Sequence, residues 1–384
     1  MSNKLFNLSH ISAGFTAVLV GYTSSVVIII QAATAAGASP NQIQSWLLAL
    51  GVSMGLSSLL FSWYYKKPIL TAWSTPGAAM LVAAVSQYEL PVVIGAFVIS
   101  GALIVLTGLI TPLSKALERI PPYLGTAMLG AILLPFCLRA FQPISSMPVV
   151  FFAMFLSFLL AKHFIPRYAM LVLLLVGLGC AMLSGSLTNH PIELAVAKPV
   201  WVTPQFDVLA MVNLSLPLYV ITMLSQNLPG VAMMKSHHYE PPVKPILIGT
   251  GICNVLFAPF GGFSVNLAAI SAAICMNDGV DADPKQRYRA VMWAGIFYLI
   301  AGVWATTVVA IFLALPKEVS QILAGLALLG TLLMCLQISF REGGFQEAAL
   351  FTFLITLSGV SFLGINSTLW GLLVGMLYIK LGKK

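Results

Sequence analysis

Charge is what this chain has least of. Asp, Glu, Lys and Arg make up 8% of its 384 residues, against 59% hydrophobic. Ordinary globular domains carry about 25% charged residues. A surface this poor in charge cannot face water over most of its area, so lipid must cover much of the exterior. The carboxylates are missing from one place in particular. Glu89, Glu118, Glu193, Asp207, Glu240, Asp278, Asp281, Asp283, Glu318, Glu342 and Glu347 all fall in loops or at the ends of apolar runs. A buried Asp or Glu in mid-span is the usual intramembrane proton carrier, and none is present. The five cysteines form no CxxC pair and lie in or beside apolar stretches, which reads as core packing rather than a metal or disulfide role. No nucleotide loop, nucleophile elbow or HExxH motif occurs. An enzyme, a metal and a cofactor are therefore not expected. The net charge of +8 does not indicate a nucleic-acid partner, because the basic residues sit singly or in pairs between apolar runs.

What is abundant is apolar sequence. A span needs roughly 20 predominantly apolar residues. Candidates fall at 11–36, 42–65, 68–87, 91–111, 122–139, 147–163, 168–187, 206–234, 243–258, 260–276, 288–314, 318–339, 345–361 and 363–380. The first is too long for the core of a cleavable signal. With the N-terminus inside, 16 of the 19 lysines and arginines fall on the cytoplasmic side. Only Arg139, Lys198 and Lys317 fall outside. The positive-inside rule thus predicts a multi-pass protein of the bacterial inner membrane, with both termini cytoplasmic and lipid as its surroundings. His10, His163, His190, His237 and His238 read as interfacial, and the Asp278–Asp283 stretch as a solvated loop.

The segment 190–205 holds three prolines and Trp201 and reads as an external linker. It divides the chain into two halves of seven spans, and an odd number per half inverts the second. Gly125, Ala127, Leu129, Gly130 and Leu133 recur 200 positions later, from Gly325 to Leu333. The expected fold is an all-α membrane protein of about 14 segments in a 7+7 inverted repeat, a transporter signature.

Segments three and ten carry the chemistry. Segment three reads Pro68 to Ala79 through Trp73, Ser74, Thr75, Pro76 and Gly77. Segment ten reads Pro259, Phe260, Gly261, Gly262, Phe263, Ser264, Val265, Asn266. Each begins with residues that disfavour helix and ends with good helix formers, so each predicts an extended stretch leading into a half-helix. Thr75 is the expected N-cap of the first with Pro76 at the first helical position, and Ser264 or Asn266 the cap of the second. Two half-helix starts facing each other would hold an anion on unpaired N–H groups. In segment eight, Gln226 and Asn227 precede Pro229-Gly230; they could bind a carboxylate, satisfy broken backbone or join helices. In segment one, Tyr22, Ser24, Ser25 and Gln31 form a polar stripe.

These motifs, Tyr22–Ser25, Thr71–Ala79, Ser225–Gly230 and Pro259–Ser264, resemble the benzoate/proton symporter (BenE) family, whose fold is related to nucleobase and sulfate transporters. The resemblance spans essentially the whole chain. It implies a core domain of residues 1–113 and 206–314, a gate domain of 114–189 and 315–384, and the 190–205 linker between the halves. It also implies import of an aromatic carboxylate with protons. Nucleobase relatives carry acidic residues on segments eight and ten, where this chain has neutral Gln226, Asn227 and Asn266. That argues against a nucleobase and leaves the proton route open, the substrate's own carboxyl group being one candidate carrier.

The expected site places Thr75, Gly77, Ser264 and Asn266 on the carboxylate. Trp73, Phe260 and Phe263 would contact the ring, Gln226 and Tyr22 would complete the polar wall, and Ser74 and Asn227 would flank it. The expected mode is an elevator-like secondary carrier. The alternatives are a passive anion channel or uniporter on the same scaffold, or a carrier for another small organic anion. A homodimer is left open.

Overall fold

The computed structural model describes residues 7–110, 121–187, 194–341 and 345–382. Lys4, Lys115, Glu118, Arg119, His190, Glu193, Glu342, Lys383 and Lys384, used in the charge reading, lie outside them. The helices are α1 (Leu8–Ala35), α2 (Pro40–Tyr65), α3 (Thr75–Ala84), α4 (Leu90–Leu109), α5 (Pro122–Arg139), α6 (Pro148–Phe164), α7 (Ala169–Leu183) and α8 (Val208–Ser236). They continue as α9 (Val243–Phe257), α10 (Ile270–Met276), α11 (Tyr288–Val303), α12 (Ala305–Ala314), α13 (Lys317–Ser339), α14 (Gln346–Ser358) and α15 (Ser367–Gly382). Two three-residue strands, β1 (Thr71–Trp73) and β2 (Val265–Leu267), precede α3 and α10.

Among the described residues eight helices are long and apolar enough to cross a bilayer, and α11 with α12, bent by 64° at a short break, supplies a ninth. The shorter apolar helices α6, α14 and α15 and the two strand–half-helix segments complete fourteen segments in the expected order.

Local chemistry sets the ends. Ser39 and Gln42 form a reciprocal capping box at the start of α2, with Pro40 in its first turn. In α8, Pro217 and Pro229 cannot donate to the preceding turn, and π-helical turns precede them at Met211–Ser215 and Met223–Asn227. Such turns reopen the backbone ladder and concentrate at functional positions. Each one here contains an asparagine, Asn213 or Asn227.

Packing in lipid favours small residues that bring backbones together. Gly51 and Gly55 of α2 lie against Gly302 and Gly295 of α11, so closely that an added Cβ on Gly51 would sit 2.6 Å from the Gly302 Cα. The largest packing contacts join α2 to α11, α4 to α9, α5 to α13 and α14 to α15, while α1 packs on α3, α10 and α11. One end of the molecule gathers the end of α1, the start of α2 and the 194–207 segment. There Val200 N–H donates to Ser45 and Val202 N–H to the Pro259 carbonyl. The opposite end gathers Ser9, His10 and the 277–287 loop.

Candidate substrate site

Segments three and ten cross as an antiparallel strand pair, Thr71 opposite Leu267, Ala72 opposite Asn266 and Trp73 opposite Val265. Open backbone at membrane depth survives only when protein satisfies it, and side chains do so here. The Thr71 hydroxyl lies 2.6 Å from Ser57 Oγ and 2.9 Å from Ser58 Oγ, both on α2. Asn254 on α9 clamps Val265, accepting from its N–H at 2.7 Å and donating to its carbonyl at 3.1 Å. Asn227 accepts from the Leu267 N–H at 3.1 Å. The Trp73 indole donates to Ser25 at 2.8 Å, and its ring lies 4.7 Å from that of Tyr22.

The half-helices leave this pair in opposite directions. α3 starts just after Trp73 and α10 just after Leu267, so their N-terminal ends face the pair from its two ends. Three residues at about 3.3 Å each make the pair itself roughly 10 Å long, with the two helix starts beyond its ends. The α3 start is partly self-satisfied. Ser74 caps it, accepting from Gly77 N–H at 3.0 Å, and Pro76 has no N–H. The Thr75 amide is the one in that turn without an acceptor among the described residues. The α10 start has Ala269 at its cap position and no side-chain cap.

Three buried polar atoms here have no partner among the described residues: the Tyr22 hydroxyl, Ser264 Oγ and Asn266 Oδ1. Buried polar groups are normally hydrogen-bonded, and each unpaired one costs about 1–3 kcal/mol. The Asn266 amide donates to the Ser264 carbonyl at 2.6 Å, which fixes its oxygen as the free end. Ser264 also sits at φ +45°, a left-handed conformation uncommon outside glycine. Ala72, Thr75 and Gln226 are half-exposed at the same level.

Two cavities flank the crossing. One, of about 500 Å³, lies at the end carrying the 194–207 segment, with Gln31, Val82, Phe136, Arg139, Lys317 and Gln321 in its wall. The other, of about 570 Å³, lies at the opposite end among Ser9, Ser12, Arg167 and Asn277. Neither wall includes residues of β1 or β2.

A model of the BenE family, described as benzoate membrane transport protein, matches residues 4–381. The chain is 35% identical over 372 residues to the benzoate membrane transport protein of Acinetobacter baylyi, covering 97% of this chain and 94% of that one. The chain belongs to the BenE family. It is also 41% identical over 363 residues to the inner membrane protein YdcO of Escherichia coli, covering 94% and 93%. Among solved structures, the transmembrane domain of a cyanobacterium bicarbonate transporter, BicA, aligns at TM-score 0.63 and 14% identity over 96% of this chain and 97% of that one. Murine Solute Carrier 26 family member A9, an anion transporter, aligns at 0.63 and 14% over 99% and 69%. These likenesses show the fold: the BenE-family chain is a multi-pass membrane transporter sharing the architecture of the SLC26 and BicA transporters.

In this BenE-family protein several expected placements change. The cap of α3 is Ser74 rather than Thr75, because only Ser74 has the extended backbone that turns its hydroxyl onto Gly77. Neither Ser264 nor Asn266 caps α10, which begins at Ile270, beyond the strand that holds Asn266. Gly77 offers no free N–H; a Cβ there would lie 2.8 Å from Leu218 Cδ1, so its smallness serves packing. Phe263 is fully buried, its ring 5.8 Å from Trp46 and 5.0 Å from Phe97. Phe260 packs on Trp201 at 5.3 Å. Both rings are thus engaged by aromatic side chains of the protein itself. Of the roles left open for the two amides, Asn227 takes the broken backbone of segment ten, accepting from Leu267 N–H, and Gln226 makes no hydrogen bond to a described residue. His10 is not interfacial: it is fully buried and lies 2.9 Å from Asp281. Nor is the 278–283 loop simply solvated. Arg287 joins the Met276 and Asp281 carbonyls and Asp278. Asn254 was missed, although an amide in the middle of an apolar run is itself a signal.

Proposed function

We propose that this protein imports benzoate or a similar aromatic carboxylate together with protons, by elevator-like alternating access, and that the acid binds at the strand-pair crossing. The observation that carries this reading is the trio of unpartnered atoms, Tyr22 hydroxyl, Ser264 Oγ and Asn266 Oδ1. They are neutral, and they include an acceptor that cannot donate. A carboxylate alone would find nothing to give Asn266 Oδ1. A protonated carboxyl group donates to that oxygen and accepts from the hydroxyls and the Thr75 amide. The substrate therefore carries its own proton, which fits a chain with no carboxylate in mid-span. The Trp73 face beside Tyr22 offers the aromatic contact.

The packing supports the division of labour. Residues 1–113 and 206–314 form a core that holds both half-helices, and 114–189 with 315–384 form a gate packed through α5–α13 and α14–α15. The core slides against the gate, and the two flanking cavities are the routes to either side. The inward bias of lysine and arginine supports a reading with both termini in the cytoplasm of a bacterial cell and the 190–205 segment outside. The name of the Acinetobacter relative supports the substrate class.

The test is uptake into proteoliposomes, with internal pH followed alongside. The expected result is accumulation of benzoate above the external concentration, driven by an inward proton gradient, with one proton entering per molecule. Equilibration without accumulation would mean a passive route, and benzoate flux without linked acidification would end the proposal.

A further inference from the structure

Sixteen of nineteen basic residues obey the positive-inside rule, and the three that do not are Arg139, Lys198 and Lys317. Two of those three, Arg139 and Lys317, line the same 500 Å³ cavity. Lys317 also opposes its own helix: it is the first residue of α13, where the macrodipole disfavours a cation. Neither residue has an ion-pair partner among the described residues. Glu318, the adjacent acid, is not in the cavity wall.

The remainder of the wall fits an aryl anion. Val27, Val82, Phe136 and Phe312 give it apolar sides, and Gln31 and Gln321 give it amides. Its volume lies within the usual range for small-molecule sites, about 300–1,000 Å³. Two helices lead from it to the crossing. α3 bears Val82 in the cavity and Thr75 at its start, seven residues or about 10 Å apart at 1.5 Å per residue. α1 bears Gln31 in the cavity and Tyr22 against Trp73.

We infer that this cavity is a second, outer binding site for the aromatic carboxylate, in which Arg139 and Lys317 collect the ionised form before it is protonated and passed along α1 and α3. The inference rests on the transport reading above and extends it. The deep site is neutral and takes the acid form, whereas the outer site is cationic and takes the anion, the dominant species in neutral water. Concentrating anions at a mouth that leads to a neutral site raises the rate of capture, and salt screens that effect.

The experiment is benzoate uptake into oriented proteoliposomes at low and at physiological ionic strength. It compares wild type, Arg139→Gln, Lys317→Gln, the double variant, and Lys198→Gln as the control for outward charge outside the cavity wall. Arg139→Lys and Lys317→Arg keep the charge. We expect the double variant to raise KM about tenfold at low salt, with most of the loss in KM rather than Vmax, and to lose most of the salt dependence of KM. The charge-keeping variants should stay near wild type and Lys198→Gln should be neutral. All the changed residues are exposed, Arg139 and Lys317 at helix ends and Lys198 in the 194–207 segment, and size-exclusion profiles will report folding. An unchanged KM and salt dependence in a well-folded double variant would overturn the outer site while leaving transport intact. An equal effect of Lys198→Gln would reduce it to general surface charge and overturn it too. Absence of benzoate uptake by the wild type would instead overturn the transport reading itself.

Discussion

Asn254, Asn227 and Asn266 are three amides within reach of one strand, and they do different work. Asn254 and Asn227 spend their carbonyls on the N–H groups of Val265 and Leu267, whereas Asn266 keeps its own free. A substitution at each should therefore read differently. Asn254→Leu strips two backbone groups of their partners in a dry interior, each loss costing about 1–3 kcal/mol. Its expected outcome is a thermal midpoint lowered by several degrees, with benzoate unable to restore it. Asn266→Leu removes an oxygen that no described group uses, together with one donor, to the Ser264 carbonyl. It should abolish uptake while lowering the ligand-free midpoint less than Asn254→Leu does, as measured by thermal unfolding in detergent with transport assayed alongside. Gly77→Leu would not separate these effects, because the added side chain collides with Leu218.

At the scale of elements, the half-helices depend on what holds their far ends. The carbonyl end of α10 is capped by Arg287, which donates to Met276 at 2.7 Å and to the Asp281 carbonyl at 2.8 Å. The guanidinium is buried and its partner Asp278 is almost wholly exposed. Exposed ion pairs contribute little, whereas a forked donor holding two carbonyls cannot be replaced by an ammonium group. Arg287→Lys should therefore lower the thermal midpoint by clearly more than Asp278→Asn, and the reverse order would mean that the ion pair rather than the cap secures α10. The elements also show what was legible in the sequence. The broken spans were readable, because Pro68, Pro76 and the Gly261–Gly262 pair forbid continuous helix. The strand pairing of Ala72 with Asn266 was not, because three-residue strands have no periodicity to read. Where Phe260 and Phe263 point was illegible for a related reason: the direction of a side chain after a glycine turn is set by φ angles that composition does not encode. His10 looked interfacial because Asp281 lies far away in sequence and comes close only through the packing of α1 on α10.

For the whole molecule, the question is whether the two helix groups move against each other. Asn213 of α8 binds the loop between α14 and α15. It donates to the Gly364 carbonyl at 2.6 Å, accepts from Asn366 N–H at 2.8 Å, and gives its main-chain carbonyl to the Asn366 amide at 2.7 Å. Pro217 makes this contact available, since it leaves the Asn213 carbonyl without its usual helical donor. The contact joins the proposed core to the proposed gate and must break if they slide. Asn213→Cys with Asn366→Cys, in a background free of the native cysteines, should form a disulfide under mild oxidation and stop uptake, with reduction restoring it. Full transport by the oxidised protein would rule out sliding at this seam.

The central claim is that the substrate sits where β1 and β2 cross. The most direct measurement is the position of bromine in crystals grown with 4-bromobenzoate, read from anomalous scattering. The account predicts a peak beside the Trp73 and Tyr22 rings, with the carboxyl group at Asn266 and the Thr75 amide. A peak in the outer cavity as well would agree with it. Bromine found only there, or only among Ser9, Ser12 and Arg167 at the opposite end, would contradict it.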